Sequence, residues 1–404
     1  MGITTAEPAA RLLALSRLTS RAGRPLTGVD RVEYAYLDRL LQETAPLFGL
    51  VRSSLGYILL DARGCKELRA RLDRGDWDAP DLLSKLNRRL DPLRARAETT
   101  LRKTALDRCL PARLARMLSR HLPARTQYIN TGHSNLSSRV LKIISALPHA
   151  RIAVLLHDTI PLDYPEFQAR GATERFAALF ARITRHADLI ICNSEQTRQD
   201  LLRHLPPTGS QPASIVARLG VELPKPGPPP SGPWSGNTTF VTLGTIEPRK
   251  NHALLLDIWE TDPPDADLLI CGHRGWNNAE TFARLDRGIP RVHELPGLND
   301  AAVFGLLQQS AGLLFPSHAE GYGLPPIEAT AFGVPTLCAD LPVFRETLGD
   351  IPVYASLSDG YLWATKIRQM AQDHRAGPVL KRNTPDGFTA PDWNDHFKIV
   401  LTLI

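Results

Sequence analysis

Short apolar runs recur along the whole chain, and each is followed by a polar or glycine-containing turn and then by a stretch with helical spacing. The runs are nearly continuous and rich in Val, Ile and Leu, which is typical of parallel strands buried on both faces. We predict strands at 56–62, 126–130, 152–158, 188–194, 214–220, 238–244, 267–272, 291–297, 312–317 and 335–340. This alternation of strands and helices predicts an α/β protein.

A proline-rich segment, "ELPKPGPPPSGPWSG" at 222–236, separates the two halves of the chain and contains six prolines. Because packed helices and strands do not tolerate that density of proline, the segment is predicted to be a stiff linker. The same strand and helix pattern stands on both sides of it. We therefore predict two doubly wound, Rossmann-like domains, 1–221 and 237–390, that face each other across a central cleft.

The composition is that of an ordinary globular protein, with 43% hydrophobic and 22% charged residues among 404. No apolar run approaches the roughly 20 residues that a membrane-spanning helix needs. Five scattered cysteines, without a CxxC pair, argue against a disulfide framework and against a zinc site. These features predict a cytoplasmic enzyme without a metal centre or a tightly bound cofactor.

Charge is unevenly distributed between the halves. Residues 1–200 carry 32 Lys and Arg against 21 Asp and Glu, whereas residues 201–404 carry 16 against 21. The densest basic stretch, 94–125, ends in "RCLPARLARMLSRHLPAR". The apolar residues predicted to share one helical face are Leu110, Leu114, Met117 and Leu118. Such a helix either lies on an anionic membrane surface or packs on the core with a solvated arginine face, and both interpretations stay open.

One stretch combines carboxylates with a glycine turn: "FPSHAEGYGLPPIEATAFGVP", residues 315–335. Gly321 and Gly323 free the backbone to turn, and the two prolines that follow suit the first turn of a helix. A glycine turn before a helix N-terminus can bind an anion, most often phosphate. Arg249 and Lys250, which follow another predicted strand of the same sheet, could neutralise the same diphosphate.

The two glutamates of this stretch, Glu320 and Glu328, could then accept hydrogen bonds from hydroxyl groups on either side of the phosphates. A nucleotide-sugar has that layout, with a ribose at one side of the diphosphate and a sugar ring at the other. The glutamate spacing and the turn are also common in α/β proteins without such a role. Taken alone, they leave open that both glutamates are ordinary surface residues.

The segment "LLFPSHAEGYGLPPIEATAFGVPTLCAD" closely resembles the E-x7-E signature of retaining family 4 glycosyltransferases, which have the GT-B fold. "VTLGTIEPRKNHALLLDIW" and "CGHRGW" are similar to strand ends of that family, and "LPGLNDAAVFGLLQQSAGLLFPS" is similar to its base-binding loop. In the first half, "LTGVDRVEYAY" resembles the glycine loop after the first strand, and "INTGHSNL" and "LLHDTIPL" resemble acceptor-side strand ends. The resemblance covers most of 14–404, most strongly from 238 onward, and implies that 391–404 form a helix crossing back to the first domain.

The resemblance implies a role for each matching residue. Lys250, helped by Arg249, would hold the donor diphosphate and stabilise the leaving nucleotide. Glu328 would accept hydrogen bonds from the ribose and Glu320 from the transferred sugar, beside which His157 would lie; Lys250, Glu320 and His157 would be the catalytic set. The other donor-binding residues would act through the backbone: amides around Gly321, Tyr322, Gly323 and Leu324 would bind phosphate or sugar, and Gly28 would let its loop approach the phosphates. The acceptor-binding residues would be His133 and Asp158.

The implied reaction is a metal-independent, retaining transfer of a hexosyl group, with mannose from GDP-mannose favoured, to a saccharide or lipid-linked saccharide. It suits bacterial surface polysaccharide synthesis, such as capsule or O-antigen assembly, with peripheral contact to the inner face of the membrane. One position departs from the family pattern, since Thr245 stands after Gly244 where many members have Arg. The alternative is a non-catalytic relative that binds a sugar or a nucleotide-sugar.

Two other functional classes fit the sequence less well. A nicotinamide dehydrogenase needs G-x-G-x-x-G in a βα turn, and "GYGLPP" has proline at the third glycine position. A nucleic-acid-binding protein would explain the basic half, but aromatic residues make up only 6% of the chain and no recognisable reading motif is present.

Overall fold

The computed structural model describes residues 7–86, 90–206, 211–377 and 384–404. It contains two β-sheets, one in each half of the chain. The predicted domains 1–221 and 237–390 thus each include a few positions that lie outside the described residues.

The first sheet has eight strands. They are β1 (Ala10–Ala14), β2 (Leu47–Arg52), β3 (Tyr57–Leu60), β4 (Asp107–Cys109), β5 (Thr126–Asn130), β6 (Arg151–Leu156), β7 (Leu189–Cys192) and β8 (Ala213–Val216). Their order is β4-β3-β2-β1-β5-β6-β7-β8. β1 pairs in parallel with both β2 and β5, so later strands of the chain are added to the sheet on both sides of β1. The edge between β1 and β5 is therefore a switch point, where ligands of such sheets bind.

The prediction of a parallel strand at 56–62 is wrong in direction, since β3 runs antiparallel to β2. The backbone N–H of Ser53 donates to the carbonyl of Gly56 at 2.9 Å, so the chain reverses at once instead of crossing over through a helix. A Cβ at Gly56 would clash with the carbonyl of Cys109, which makes glycine necessary there. The sequence pattern also missed β1, β2 and β4.

The second sheet has six strands, all parallel. They are β9 (Thr239–Leu243), β10 (Asp267–Cys271), β11 (Val292–Glu294), β12 (Gly312–Phe315), β13 (Thr336–Ala339) and β14 (Val353–Ala355). Their order is β11-β10-β9-β12-β13-β14, which puts a second switch point between β9 and β12. Five of the six strands coincide with predicted runs, and β14 was missed.

Helices connect the strands and cover the sheets. They are α1 (Ser16–Ser20), α2 (Gly28–Leu40), α3 (Ala62–Arg74), α4 (Leu82–Leu86), α5 (Pro92–Lys103), α6 (Leu114–His121), α7 (Ser138–Ser145), α8 (Ile160–Asp163), α9 (Ala172–His186), α10 (Glu195–His204), α11 (His252–Thr261), α12 (Ala279–Arg287), α13 (Asp300–Gln309), α14 (Leu324–Ala331), α15 (Pro342–Leu348), α16 (Gly360–Ala376) and α17 (Trp393–Leu401). Short 3-10 turns occupy Pro111–Arg113, Pro165–Phe167 and Pro248–Lys250.

The last helix, α17, lies against the first half of the chain. The hydroxyl of Tyr36 on α2 is 2.8 Å from Nε2 of His396, and the ring of Phe397 packs edge-on to Tyr36 with centroids 5.0 Å apart. The proline-rich segment runs along the second domain, where Gly227 N–H donates to the Ala301 carbonyl at 2.8 Å. Two connections therefore join the domains, namely the segment at 222–236 and the return to α17.

The basic helix packs on the core of the first domain. Leu114, Met117 and Leu118 are buried in the same apolar cluster as β1 and β5 side chains. Leu110 is 64% exposed because the helix begins only at Leu114, after a 3-10 turn, so its predicted place on the apolar face is wrong. Within the described ranges, no helix combines the length and the apolar character needed to cross a bilayer.

Candidate active site

The predicted donor-binding residues lie at the switch point of the second sheet. Arg249 and Lys250 belong to the 3-10 turn that follows β9, and the loop 316–323 follows the neighbouring strand β12. The backbone joins these two loops, since His318 N–H donates to the Arg249 carbonyl at 2.8 Å. Residues that are about 70 positions apart in sequence therefore meet because parallel strands end at one edge.

Glu320 is the centre of a buried ion cluster. One of its oxygens, Oε1, lies 2.6 Å from Lys250 Nζ and 2.8 Å from Arg249 Nη1. Arg249 also pairs with Glu247 at 2.7 Å, and Lys250 Nζ lies 4.4 Å from the ring centroid of Phe315. The formal charges of the two cations and two carboxylates cancel.

The electrostatics of this cluster fix the charge of Glu320. Burial by itself would raise the pKa of Glu320, but Arg249 and Lys250 outweigh it and bring that pKa down to about 2. Burial lowers the pKa of Lys250, and the Glu320 carboxylate opposes that change. Glu320 is therefore a carboxylate at every physiological pH, held by two cations of its own domain.

The glycine turn is built as the sequence predicts, and it touches the first domain. A Cβ at Gly321 would clash with the His157 carbonyl, and Gly323 has a φ of 90° and would clash with Phe344. The Gly321 carbonyl accepts hydrogen bonds from Ser194 Oγ at 2.9 Å and Thr197 Oγ1 at 3.1 Å. The turn is thus held from across the cleft, and it leads directly into α14.

The side chain of Tyr322 is buried against the end of the first domain. It is 4% exposed, and its hydroxyl donates to the Leu219 carbonyl at 2.8 Å. Only the backbone of Tyr322 can serve the predicted donor site. Leu324, at the start of α14, faces Gly28 at the start of α2, where a Cβ on Gly28 would lie 3.4 Å from Leu324 Cδ1. Two helix N-termini therefore meet at the cleft, a favourable place for an anion.

Glu328 lies on α14 at the other side of this meeting point. Its Oε1 is 2.7 Å from Arg31 Nη1 of α2, and Arg31 Nη2 is 2.6 Å from Asp300 Oδ1 of α13. Burial raises the pKa of Glu328 to about 7, although Arg31 lowers it, and Asp300 adds to the rise. Glu328 and Arg31 border a groove of about 400 Å³ between the domains, which Leu26, Asn299, Leu324 and Trp393 also line.

His133 and His157 form a pair at the carboxyl ends of β5 and β6, with ring centroids 5.2 Å apart. His157 Nε2 lies 2.6 Å from the Thr131 carbonyl, and His133 Nε2 lies 2.7 Å from the Leu155 carbonyl. Burial lowers the pKa of His157 to about 3 and that of His133 to about 4. Both rings are neutral at pH 7 with Nε2 protonated toward a carbonyl, which leaves Nδ1 of His157 as an acceptor.

Asp158 lies between the two clusters. Its Oδ1 accepts from the Ile160 N–H at 3.1 Å, and a Cβ at Gly321 would come within 2.8 Å of Asp158 Cβ. Burial raises its pKa to about 6, and the charge of Arg249 opposes the rise. The predicted acceptor residue is thus also in direct contact with the donor-side turn.

The structure brings together all of the predicted site residues at the cleft, in two groups. Arg249, Lys250, Glu320 and the glycine turn form one group with Asp158, His157 and the His133 ring that packs on it. Glu328, Leu324 and Gly28 form the other. Among the described residues, no three His, Cys, Asp or Glu side chains are grouped so as to hold a metal ion.

The second half of the chain matches a known family. Residues 229–373 fit the model of Glycosyl transferases group 1. This part of the chain is therefore similar to the glycosyltransferase domains of that group. It contains β9 to β14 and every ion pair that Glu320 makes.

Curated proteins that are similar to the chain include mannosyltransferases. The serotype-specific mannosyltransferase WbdA of Escherichia coli is 31% identical over 215 residues, which are 48% of this chain and 26% of that protein. O-antigen chain mannosyltransferase B of Escherichia coli is 30% identical over 146 residues, 35% of this chain and 38% of that protein. The chain thus spans about a quarter to two fifths of the length of these relatives.

Solved structures share the architecture of the whole chain. HepE of Anabaena, solved in complex with UDP and glucose, aligns with a TM-score of 0.61 at 15% identity over 98% of this chain and 99% of that one. Sucrose-phosphate synthase of Thermosynechococcus elongatus gives a TM-score of 0.57 at 13% identity over 98% and 95%. The two-sheet architecture is therefore the GT-B fold, which confirms the predicted fold class.

Sequence reasoning missed Arg31, Asp300 and Glu247. Arg31 lies one helical turn after Gly28, and Asp300 follows the "PGLN" loop, so both stand inside segments that the resemblance had marked. Their charged side chains at helix starts near strand ends were the available signal. Arg31 and Asp300 pair with each other across the two domains, which local pattern could not show.

Proposed function

We propose that the chain is a retaining glycosyltransferase that moves a hexosyl group from a nucleotide-sugar to a saccharide or lipid-linked saccharide acceptor. The observation that carries the proposal is the Glu320 cluster, in which one ionised carboxylate and two cations lie at the switch point beside the N-terminus of α14. A diphosphate is bound by cations and backbone N–H groups, and the hydroxyls of a sugar ring are bound by hydrogen-bond acceptors. The cluster and the start of α14 supply both kinds of group.

Arg249 and Lys250 would stabilise the charge that grows on the leaving nucleoside diphosphate. In the structure both cations pair with Glu320, so a bound diphosphate would compete for them. Glu320 would then accept hydrogen bonds from hydroxyls of the transferred sugar while staying charged. Cations held ready in a buried site stabilise a developing charge without reorganisation, which is often the largest contribution to catalysis.

The proposed bond changes occur on one face of the sugar. The bond between the anomeric carbon and the phosphate oxygen breaks, the acceptor oxygen bonds to the same face, and the acceptor proton passes to the leaving phosphate. His157 is neutral and has a free acceptor at Nδ1, so it would orient a sugar hydroxyl instead of supplying a proton. We propose that protein cations and backbone N–H groups stabilise the leaving group and that no divalent ion takes part.

We propose mannose as the sugar and GDP-mannose as the donor, in bacterial surface polysaccharide synthesis. The names of the mannosyltransferase relatives support this choice. The excess of Lys and Arg in residues 1–200 supports an anionic acceptor, such as a lipid-linked diphosphate saccharide presented at the inner face of the membrane.

The experiment that tests the proposal follows the anomeric proton by NMR during incubation with GDP-mannose or UDP-glucose. Slow hydrolysis or transfer with retained configuration, lost in Glu320→Gln, is the expected result. An enzyme that binds the nucleotide but never consumes the donor, with or without a mannose-containing glycan as acceptor, would instead be a non-catalytic relative.

A further inference from the structure

Arg31 reaches from the first domain across the cleft to carboxylates of the second domain. It lies in the first turn of α2, and its guanidinium bridges two carboxylates of the other domain, Glu328 and Asp300, at 2.7 and 2.6 Å. The side chain of Glu328 is only 7% exposed, whereas that of Asp300 is 48% exposed. The pair with Glu328 is thus shielded from solvent, and the pair with Asp300 is not.

The start of α2 holds Arg31 in place. The Thr27 N–H donates to Asp30 Oδ2 at 2.8 Å, and the buried Asp30 also pairs with Arg17 at 2.6 Å and Arg21 at 2.7 Å. These contacts fix the first turn of α2 in the first domain. The guanidinium therefore meets Glu328 only when the two domains stand as they do here.

We propose that Arg31 is a cross-cleft positioning residue, which holds Glu328 as an oriented carboxylate ready to accept hydrogen bonds from the vicinal hydroxyls of a nucleotide ribose. The inference rests on the proposed function. It assigns to Arg31 a part in donor binding that it performs through Glu328, so that nucleotide affinity depends on the approach of the two domains.

The geometry leaves room for this role. Arg31 occupies Oε1 of Glu328, and the groove of about 400 Å³ opens beside both residues. Glu328 Oε2 is not used by Arg31 and can accept from a ribose hydroxyl. A charged carboxylate accepts hydrogen bonds about twice as strongly as a neutral one.

The charge balance at Glu328 makes the role testable by pH. The charged groups that face Glu328 are Arg31 from α2 and Asp300 from α13. Burial and Asp300 favour the protonated form, and Arg31 alone opposes them, leaving the pKa at about 7. Loss of the Arg31 charge would move that pKa upward, so that Glu328 would be mostly neutral at pH 7.

The test compares two ligands and four proteins by titration calorimetry between pH 6.5 and pH 9. The ligands are GDP and 2′,3′-dideoxy-GDP, with UDP and its dideoxy analogue if the protein prefers uracil. The proteins are the wild type, Arg31→Gln, Arg31→Lys and Arg39→Gln. Arg39 is a matched control, since it lies two turns further along α2 and pairs with Glu43.

We expect Arg31→Gln to weaken binding of the nucleoside diphosphate about tenfold at pH 7, the loss of roughly one charged hydrogen bond. The deficit should shrink at pH 9, where Glu328 ionises again, and it should vanish for the dideoxy ligand, which has no ribose hydroxyls. Arg31→Lys should restore most of the affinity, and Arg39→Gln should match the wild type.

Two results would overturn the inference. If Arg31→Gln weakens the normal and dideoxy ligands equally at every pH, Arg31 merely holds the domains together. If Arg31→Gln binds as the wild type does, it has no role in the site. Failure of the wild type to bind either GDP or UDP would instead refute the proposed function, and this inference with it.

Discussion

The two glutamates of the motif lie eight residues apart and flank the same helix start, yet their surroundings differ in kind. Glu320 meets two cations from its own domain, and its pKa falls to about 2. Glu328 meets one cation, Arg31, which belongs to the other domain, and burial raises its pKa to about 7. The ion pairs of Glu320 lie within a single domain, and the ion pair of Glu328 with Arg31 forms only across the cleft.

This difference suggests a division of work between the two ends. The cluster of Glu320, Arg249 and Lys250 can form whether or not the cleft is closed, because β9 and β12 are neighbouring strands of one sheet. The pair of Glu328 with Arg31 reports on closure, because the two residues belong to different domains. Domain closure around a donor excludes water and limits wasteful hydrolysis.

The largest effect that we expect comes from the cluster of Glu320, Arg249 and Lys250. Lys250→Ala should lower the rate of glycosyl transfer about 100- to 1,000-fold, because a buried cation beside the leaving phosphate is lost. Steady-state rates with saturating donor measure this. Lys398→Ala is the control, since Lys398 is exposed on α17 and pairs with Asp395. A rate within a factor of two of the wild type for Lys250→Ala would remove Lys250 from the catalytic set.

The next effect concerns the contact between the domains. Gly321→Ala would place a Cβ against the His157 carbonyl and force the two halves apart. We expect transfer to fall roughly tenfold or more, by the loss of closure that aligns donor and acceptor. Gly360→Ala is a matched control, because a Cβ there meets only Leu254 Cδ1 at an ordinary 3.8 Å. Rates in stopped time courses and small-angle scattering would show whether activity and closure change together.

The glutamates themselves should respond in opposite directions in a binding experiment. Glu320→Gln frees Arg249 and Lys250 for phosphate, so GDP or UDP should bind as tightly as to the wild type or more tightly, although transfer is lost. Glu328→Gln should weaken the same ligand about tenfold, through poorer hydrogen bonds to the ribose. Equal weakening by both substitutions would mean that the two ends are alike and would break the comparison.

The smallest expected effect is on stability, and its sign also differs between the glutamates. The folded pKa of Glu320 lies below the ordinary 4.5, so Glu320 stabilises the fold above pH 4.5, and this is lost as pH falls toward 2. The folded pKa of Glu328 lies above 4.5, so its contribution to the free energy of unfolding falls as pH rises from 4.5 through 7.

Chemical denaturation at pH 8 and pH 4.5 measures this difference. At pH 8, Glu320→Gln should lower the free energy of unfolding by about 3 kcal/mol, because it leaves buried cations unpaired. Glu328→Gln should raise it by about 1 to 2 kcal/mol, since a buried charge is removed. At pH 4.5 the gain in Glu328→Gln should disappear. A loss of stability in Glu328→Gln at pH 8 would show that the pair with Arg31 outweighs the cost of burial.

The cluster of Glu320, Arg249 and Lys250 could be predicted from the sequence because its causes are local. Apolar runs separated by helical stretches place β9 and β12, and the residues just after each of these strands then meet at one edge of the sheet. The predicted direction of β3 was wrong because a four-residue turn, Ser53–Gly56, reverses the chain although the apolar pattern favours a parallel strand. β1 was missed although it is central, since it is short and contains Arg11.

The pair of Arg31 with Glu328 could not be predicted, because it depends on how two domains approach each other. Arg31 and Glu328 are 297 positions apart, and no sequence pattern around either residue indicates that the two pair. The resemblance implies a role only for the backbone of Tyr322, and the packing adds that its hydroxyl donates to the Leu219 carbonyl. Motifs report residue types near strand ends, and tertiary packing decides which atoms face the cleft.

The most direct test of the account is a calorimetric titration of GDP and UDP into the wild type, Lys250→Ala and Lys398→Ala. We predict that one of the two nucleotides binds the wild type in the micromolar range, at least about tenfold more weakly to Lys250→Ala, and unchanged to Lys398→Ala. Absence of binding by both nucleotides to the folded wild type, or equal binding by all three proteins, would contradict a donor site at the Glu320 cluster.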